Sequence, residues 1–257
     1  MNKKLLIIVL TVILILVSGL FNQDILADEL TGEEIMELVD DNQFLASARV
    51  VSEMTIIDGD RESVKEMKSY IRSDGEITDA LTEFHNPRDR GTRYLMQDDE
   101  LWMYFPDAED LVRISGHMLE EGMMGSDFSY QDLLESEQLT KLYEFEKVDR
   151  ETINEREAYL ISATAKEDEE PAYYQRKLWV DVERFVILHE EMYSRDERLL
   201  KEMIIKEVTE IDDDRWLPTK MVMEDKLLED TETIYEIDEI ELDYDIPDGK
   251  LTLDELQ

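Results

Sequence analysis

A single, mainly β domain is the fold class this sequence predicts, and three observations predict it. The chain breaks repeatedly into short runs rich in β-branched and aromatic residues, bounded by Asp-Gly, Asn-Pro and acidic turns. No helical pattern of crossover length alternates with those runs, so a meander is expected rather than a parallel sheet. A hydrophobic content of 42% in 257 residues allows a sizeable core and sets folding above disorder, whatever the charge.

The elements follow in chain order. Lys3 and Lys4 precede an apolar run from Leu5 to Val17, interrupted only by Thr11. With Ala27 as the expected last residue removed, 1–27 reads as a secretory signal peptide. A retained anchor is the alternative, because counting on to Phe21 approaches the length of a membrane span. Residues 28–257 then form one exported domain. Thr31 and Glu34 have the spacing of a capping box, so a short amphipathic helix is expected over Gly32 to Asp41. Candidate strands are Ala46–Ile57, ending at Asp58-Gly59, then Val64–Arg72, Glu76–Phe84, Thr92–Met96, Leu101–Phe105 around the Asp98-Asp99 turn, and Leu111–Ile114. Later ones are Leu139–Val148, Ile153–Ala163, Tyr173–Val180, Phe185–Tyr193, Leu199–Thr209, Trp216–Met223 and Thr231–Ile240. Between the two groups, the Gly- and Met-rich stretch from His117 leads to Ser129 and Asp132, which can cap a brief helix through Glu135. The stretch reads as a connection across the sheet. Both parities of the later strands carry apolar groups, which suits either a covered cavity or two ordinary core faces.

Charge and chemistry narrow the function. With 66 Asp and Glu against 27 Lys and Arg, the formal net charge is -39. Such a field opposes nucleic acid and anionic membrane surfaces. It is expected to suit a saline compartment, where ions screen the self-repulsion. The absence of cysteine excludes an N-terminal lipid on cysteine, thiol catalysis and cysteine-ligated metal. His85, His117 and His189 are far apart and without metal-ligand spacing, so no metal and no cofactor are expected. Ser126 beside Asp127 is no triad, and no Gly-x-Ser-x-Gly elbow presents a serine. The turn is read as packing of Phe128 plus helix capping, with no catalytic residues. Trp102, Tyr104, Met123, Met124 and Phe128 supply broad, adaptable apolar contact and are the candidate ligand-binding residues. Arg93 and Arg113 are weaker candidates for a polar head, and Arg90 is a further positive position, although ion pairing is the ordinary role of each.

Several segments also resemble a known family. Gly91-Thr92-Arg93-Tyr94-Leu95, Leu101-Trp102-Met103-Tyr104-Phe105-Pro106 and Leu111-Val112-Arg113-Ile114 are similar to successive motifs of the outer-membrane lipoprotein-sorting protein family, the LolA-like group. Met124-Gly125-Ser126-Asp127-Phe128-Ser129-Tyr130-Gln131-Asp132-Leu133 resembles that family's Met-Gly-Ser-Asp-Phe-Ser-Tyr-x-Asp-Leu segment. Tyr174, Leu178-Trp179-Val180-Asp181 and Trp216-Leu217-Pro218-Thr219 follow in the expected order, so the likeness runs from about Glu33 to Leu256. It implies an incomplete antiparallel β-barrel of about eleven strands, with short helices forming a lid over an apolar cavity. It also implies a monomeric periplasmic carrier or chaperone that shields the acyl chains of lipid-modified proteins or free lipids, passing them from an inner-membrane donor to an outer-membrane acceptor. A non-catalytic structural module of the cell envelope is the alternative, and a lipid hydrolase a distant third.

Overall fold

The computed structural model describes residues 30–256 apart from 76, 98, 99, 137, 138 and 213. The expected leader, 1–27, and the Asp98-Asp99 turn lie outside the described residues. Among the described residues, no helix is long and apolar enough to cross a membrane.

The first group of strands is β1 (Ser47–Asp58), β2 (Arg61–Ser73), β3 (Thr78–Phe84), β4 (Arg93–Gln97), β5 (Glu100–Phe105) and β6 (Asp110–Ile114). The second is β7 (Tyr143–Ile153), β8 (Arg156–Ala165), β9 (Gln175–Asp181), β10 (Ile187–Tyr193), β11 (Leu199–Asp212), β12 (Arg215–Asp225) and β13 (Thr231–Leu242). Every candidate strand of the sequence has a counterpart here. All pair antiparallel in one 13-stranded sheet, ordered β6-β5-β4-β3-β2-β1-β13-β12-β11-β10-β9-β8-β7. That is two strands more than the resemblance implies. Two meanders are joined where β1 pairs β13, with Met54 opposite Tyr235. The free edges are β6 and β7, so the sheet is not closed into a barrel. Gly59 supplies the positive φ of the first hairpin, at +58°, and the register sets Asp58 opposite Arg61.

Helix α1 (Gly32–Gln43) starts on the expected capping box: Thr31 Oγ1 accepts from the Glu34 N–H at 3.2 Å, and Glu34 Oε2 accepts from the Thr31 N–H at 2.8 Å. Its apolar side buries Ile35, Met36 and Val39 against Tyr143, Phe145, Ile161, Leu178 and Val180. At roughly 1.5–3 kcal/mol for each large side chain taken from water, this contact holds a helix too short to persist alone. Gly32 permits the close approach, since a Cβ there would sit 2.8 Å from the Phe145 carbonyl oxygen. Leu139 and Leu142, expected at the start of a strand, instead form the short helix α3 (Leu139–Leu142), because spacing of three turns both leucines toward α1. Helix α2 (Tyr130–Glu135) lies between α1 and α3 in the chain.

The face that carries α1 is the inner face. On the outer face, Leu81, Leu95, Trp102 and Tyr104 pack under Ile246, Leu251 and Leu256 of the C-terminal stretch, which ends in α4 (Leu253–Leu256). Lys250 ties that stretch to Glu83 at 2.9 Å, and Gln97 Nε2 donates to the Leu251 carbonyl at 3.2 Å.

Candidate functional site

The inner face has two covers. Helix α1 lies over β7 to β10, and the connection from β6 to β7, which leaves one edge of the sheet and enters the other, lies over β1 to β6 and reaches across β13 to β9–β12. This second cover consists of 3₁₀ turns at Gly116–Glu120 and Met123–Gly125 followed by α2. Met118, Leu119, Met123, Met124, Phe128, Tyr130, Leu133 and Leu134 face a floor made by Met54, Ile56, Met67, Phe84, Tyr94, Leu101, Met103 and Ile114. Thioethers fill such a space without demanding one shape. Phe84, Tyr94 and Tyr130 stack edge to face, with centroids 5.1 and 5.8 Å apart, and the Tyr94 and Tyr130 hydroxyls meet at 3.2 Å. Burial pushes the Tyr94 phenol far above its ordinary range, so it stays neutral.

The cover is pinned by polar groups of one short segment. Asp127 is buried, and its carboxylate accepts from the hydroxyls of Thr231 at 2.9 Å and Thr233 at 2.6 Å, while its N–H donates to Thr233 Oγ1 at 2.9 Å. Ser129 and Asp132 form the expected capping box of α2. The turn itself is strained. Met124 has φ +55°, and a Cβ at Gly122 would lie 2.2 Å from the Ser126 carbonyl oxygen.

Beneath α2 the apolar floor gives way to a buried charged cluster. Arg176 of β9 lies between the rings of Tyr143 and Tyr173, 5.0 and 4.9 Å from their centroids, and donates from Nη1 to Glu190 of β10 at 2.5 Å. Its contact with Glu135 of α2 is long, 3.5 Å, and its Nε has no hydrogen-bond partner among the described residues. Lys201 of β11 meets Asp132 at 2.9 Å, and the Tyr173 hydroxyl donates to the other Asp132 oxygen at 2.8 Å. Burial raises Asp132, but the Lys201 ammonium, the Ser129 N–H and the Tyr173 hydroxyl outweigh it and hold the carboxyl below its usual range. At Glu135 burial prevails over the Ala172 N–H, the Gln131 amide and Arg176, and the carboxyl is pushed up. Burial also pushes the Tyr143 phenol up to about 12.

Two hollows adjoin this region, both at margins. One of about 460 Å³ is lined by Arg49, Ser52, Glu53, Glu66, Met67 and His85, and one of about 310 Å³ by Ile56, Ile57, Gly125, Asp127, Leu228 and Thr231. Among the described residues, side chains of the cover pack directly against the floor. On the outer face His189, Glu191 and Glu202 bring ligand-type atoms within 4.8 Å of one another. Glu202 is already engaged by His189 at 2.8 Å and by Lys226 at 2.5 Å, and Glu191 accepts from the Tyr193 hydroxyl.

A family model described as "-like: Uncharacterized protein" matches residues 76–257. The chain belongs to that family. No curated protein matches it. Three solved structures are similar over nearly their whole length. A DUF1329 family protein from Desulfovibrio piger is 24% identical, with a TM-score of 0.81 over 88% of this chain and 98% of that one. A domain assigned to the outer membrane lipoprotein-sorting proteins, from Vibrio parahaemolyticus, is 22% identical, with a TM-score of 0.77 over 90% and 99%. A LolA superfamily protein from Nitrosomonas europaea is 22% identical, with a TM-score of 0.71 over 88% and 99%. The fold is therefore LolA-like.

Within this LolA-like fold the predicted contact residues separate. Met123, Met124 and Phe128 come together in the cover, and Phe128 also reaches Tyr173, Met192 and Met223. Trp102 and Tyr104 lie on the other side of the sheet, under the C-terminal stretch. Strand alternation decides this: Leu101 and Met103 of β5 point inward, so Trp102 and Tyr104 point outward. Arg93 donates to the Glu255 carbonyl, and Arg113 pairs with Glu100 at 2.8 Å, so both serve outer contacts. The charged cluster escaped the sequence reading. Its one signal was Arg176 sharing the parity of Leu178 and Val180 on an apolar strand face.

Proposed function

We propose that this chain is a non-enzymatic periplasmic carrier that shields the acyl chains of lipoproteins or related lipids in transit between membranes. The observation that carries this reading is a broad apolar floor on an unclosed sheet, hidden by a methionine-rich cover whose polar contacts to the sheet are gathered at Asp127, Asp132 and Glu135. Each CH₂ moved from water to such a surface contributes roughly 0.8 kcal/mol, so an acyl chain can compete with the cover's own side chains for the floor. Lifting the segment that holds Met123, Met124 and Phe128 opens the floor to cargo, and those three residues are the proposed contacts. The similar Vibrio parahaemolyticus domain, assigned to the outer membrane lipoprotein-sorting proteins, supports the same reading. We take the carrier to be a monomer served by an inner-membrane donor and an outer-membrane acceptor. Native mass spectrometry of protein taken from its own envelope without detergent tests the proposal. Bound lipid or lipoprotein mass is expected, and a bare chain that also ignores acylated peptides refutes it.

The packing of cover side chains against the floor favours a second reading, a structural envelope module with a closed core. Unchanged hydrogen exchange in residues 116–135 when acylated peptide is added would favour it.

The charge is read as adaptation to salt. In the register, Glu66, Glu53 and Glu236 stand directly opposite one another across β2, β1 and β13. Like charges so placed repel until ions screen them.

A further inference from the structure

The buried cluster under α2 has a division of charge that ion pairing alone does not require. Its cations, Arg176 and Lys201, both belong to the sheet, whereas two of its three carboxylates, Asp132 and Glu135, belong to the cover and only Glu190 to the sheet. With α2 in place the two cations face three acidic groups; with α2 lifted they face one. Opening the cover therefore turns this part of the floor from net acidic to net basic, inside a chain whose overall charge is -39. The cover's carboxylates also fit the cations unequally. Lys201 is well matched by Asp132 at 2.9 Å, but Arg176 meets Glu135 only at 3.5 Å. Arg176 is almost wholly buried, 5% exposed, and its Nε is left without a partner. A buried guanidinium N–H left unsatisfied is costly, and a guanidinium is built to hold an anion on two nitrogens. The rings of Tyr143 and Tyr173 flank it, and the apolar floor of Met192, Met203 and Met223 lies alongside.

We propose that Arg176 and Lys201 form a subsite for the anionic head, carboxylate or phosphate, of an acyl-chain amphiphile, and that Asp132 and Glu135 occupy it as stand-ins while the cover is closed. This rests on the carrier reading and deepens it. Cargo enters by exchange: the head replaces the two cover carboxylates on the cations as the chain replaces Met123, Met124 and Phe128 on the floor. Exchange keeps the cations paired in both states, which lowers the cost of opening, since an unpaired buried charge is never left behind.

The test compares dodecanoate, its methyl ester and acetate by isothermal titration to the whole exported domain at fixed salt. Dodecanoate is expected to bind about tenfold more tightly than the ester, the ratio that one charge-assisted hydrogen bond supports, and acetate is expected not to bind measurably. Lys201→Met should reduce the ratio of acid to ester affinity, Arg176 supplying what remains. It is chosen ahead of Arg176→Met, which would strand Glu190 in the core. The double variant Asp132→Asn with Glu135→Gln, which removes the competing charges, should raise dodecanoate affinity by a larger factor than ester affinity. Equal binding of acid and ester by the wild type, or a preference undiminished by Lys201→Met, overturns the subsite and leaves the carrier reading standing. Acetate binding as tightly as dodecanoate overturns the amphiphile and marks a free-anion site. Failure of both acid and ester to bind overturns the carrier reading and the subsite together.

Discussion

Replacing Asp127 by alanine isolates the clasp that holds the cover to the sheet. The change removes the acceptor of two hydroxyl hydrogen bonds, from Thr231 at 2.9 Å and Thr233 at 2.6 Å, and leaves the Thr233 hydroxyl proton, fully buried, with nothing to meet. A hydrogen bond to a charged group is worth about 1.5–3 kcal/mol, and stranding a buried donor adds to the loss, so about 3–4 kcal/mol is expected. For a domain of this length each kcal/mol lowers Tm by about 2–4 °C, which predicts a fall of about 6–16 °C. Asp127→Asn keeps the shape and one oxygen and should lose roughly half as much. Thermal unfolding followed by circular dichroism reads the global effect, and amide exchange reads its location. Exchange should accelerate over residues 116–129 and stay unchanged in β7 and β8, which α1 covers. A Tm within about 2 °C of wild type, or exchange that quickens equally under α1, would falsify the claim that this contact pins the cover.

Four other outcomes follow from the same structure. Gly122→Ala drives a Cβ to 2.2 Å from the Ser126 carbonyl oxygen and should cost at least about 2 kcal/mol; a neutral result in urea unfolding would show that the turn yields freely. Leu251→Asp puts a carboxylate among Leu81, Leu95 and Ile246, so the C-terminal stretch should detach and the fluorescence of Trp102 shift to the red; an unshifted spectrum in an unfolding-competent variant would contradict the packing. Asp132, Asp181, Asp89 and Glu202 have depressed values in the folded chain. The unfolded chain therefore binds more protons on acidification: their stabilisation is complete above about pH 5 and is lost as pH falls below about 4. Glu135 has the opposite sign, because its raised value favours the folded state as it protonates. Asp132→Asn should therefore lower stability at neutral pH and flatten the acid limb of Tm against pH, and a limb parallel to wild type would refute the assignment. Added salt should raise Tm, and Glu53→Gln, which relieves the row with Glu66 and Glu236, should reduce that dependence; the same slope in both proteins would remove the row as its cause.

Local chemistry explains what was readable in advance. Turn residues such as Asp58-Gly59 and runs of alternating residues placed every strand, because pleat and hairpin geometry act over a few neighbouring residues. The capping boxes at Thr31/Glu34 and Ser129/Asp132 were legible for the same reason, since each closes within a single turn. Where locality failed, errors of detail followed: Leu139 to Leu142 carries no strong helix signal, and only α1 packing against both leucines makes it helical.

What the sequence determined by itself was an acidic, cysteine-free chain of antiparallel strands with a methionine-rich connection in its middle. The pairing of β1 with β13, the sides to which Trp102 and Phe128 turn, and the meeting of Arg176 and Lys201 with Asp132 and Glu135 were decided only by the tertiary structure. Those contacts join residues tens of positions or more apart, and the free energy that selects them comes from apolar area removed from water and charges paired across the sheet. Neither has a periodicity that a one-dimensional pattern can carry.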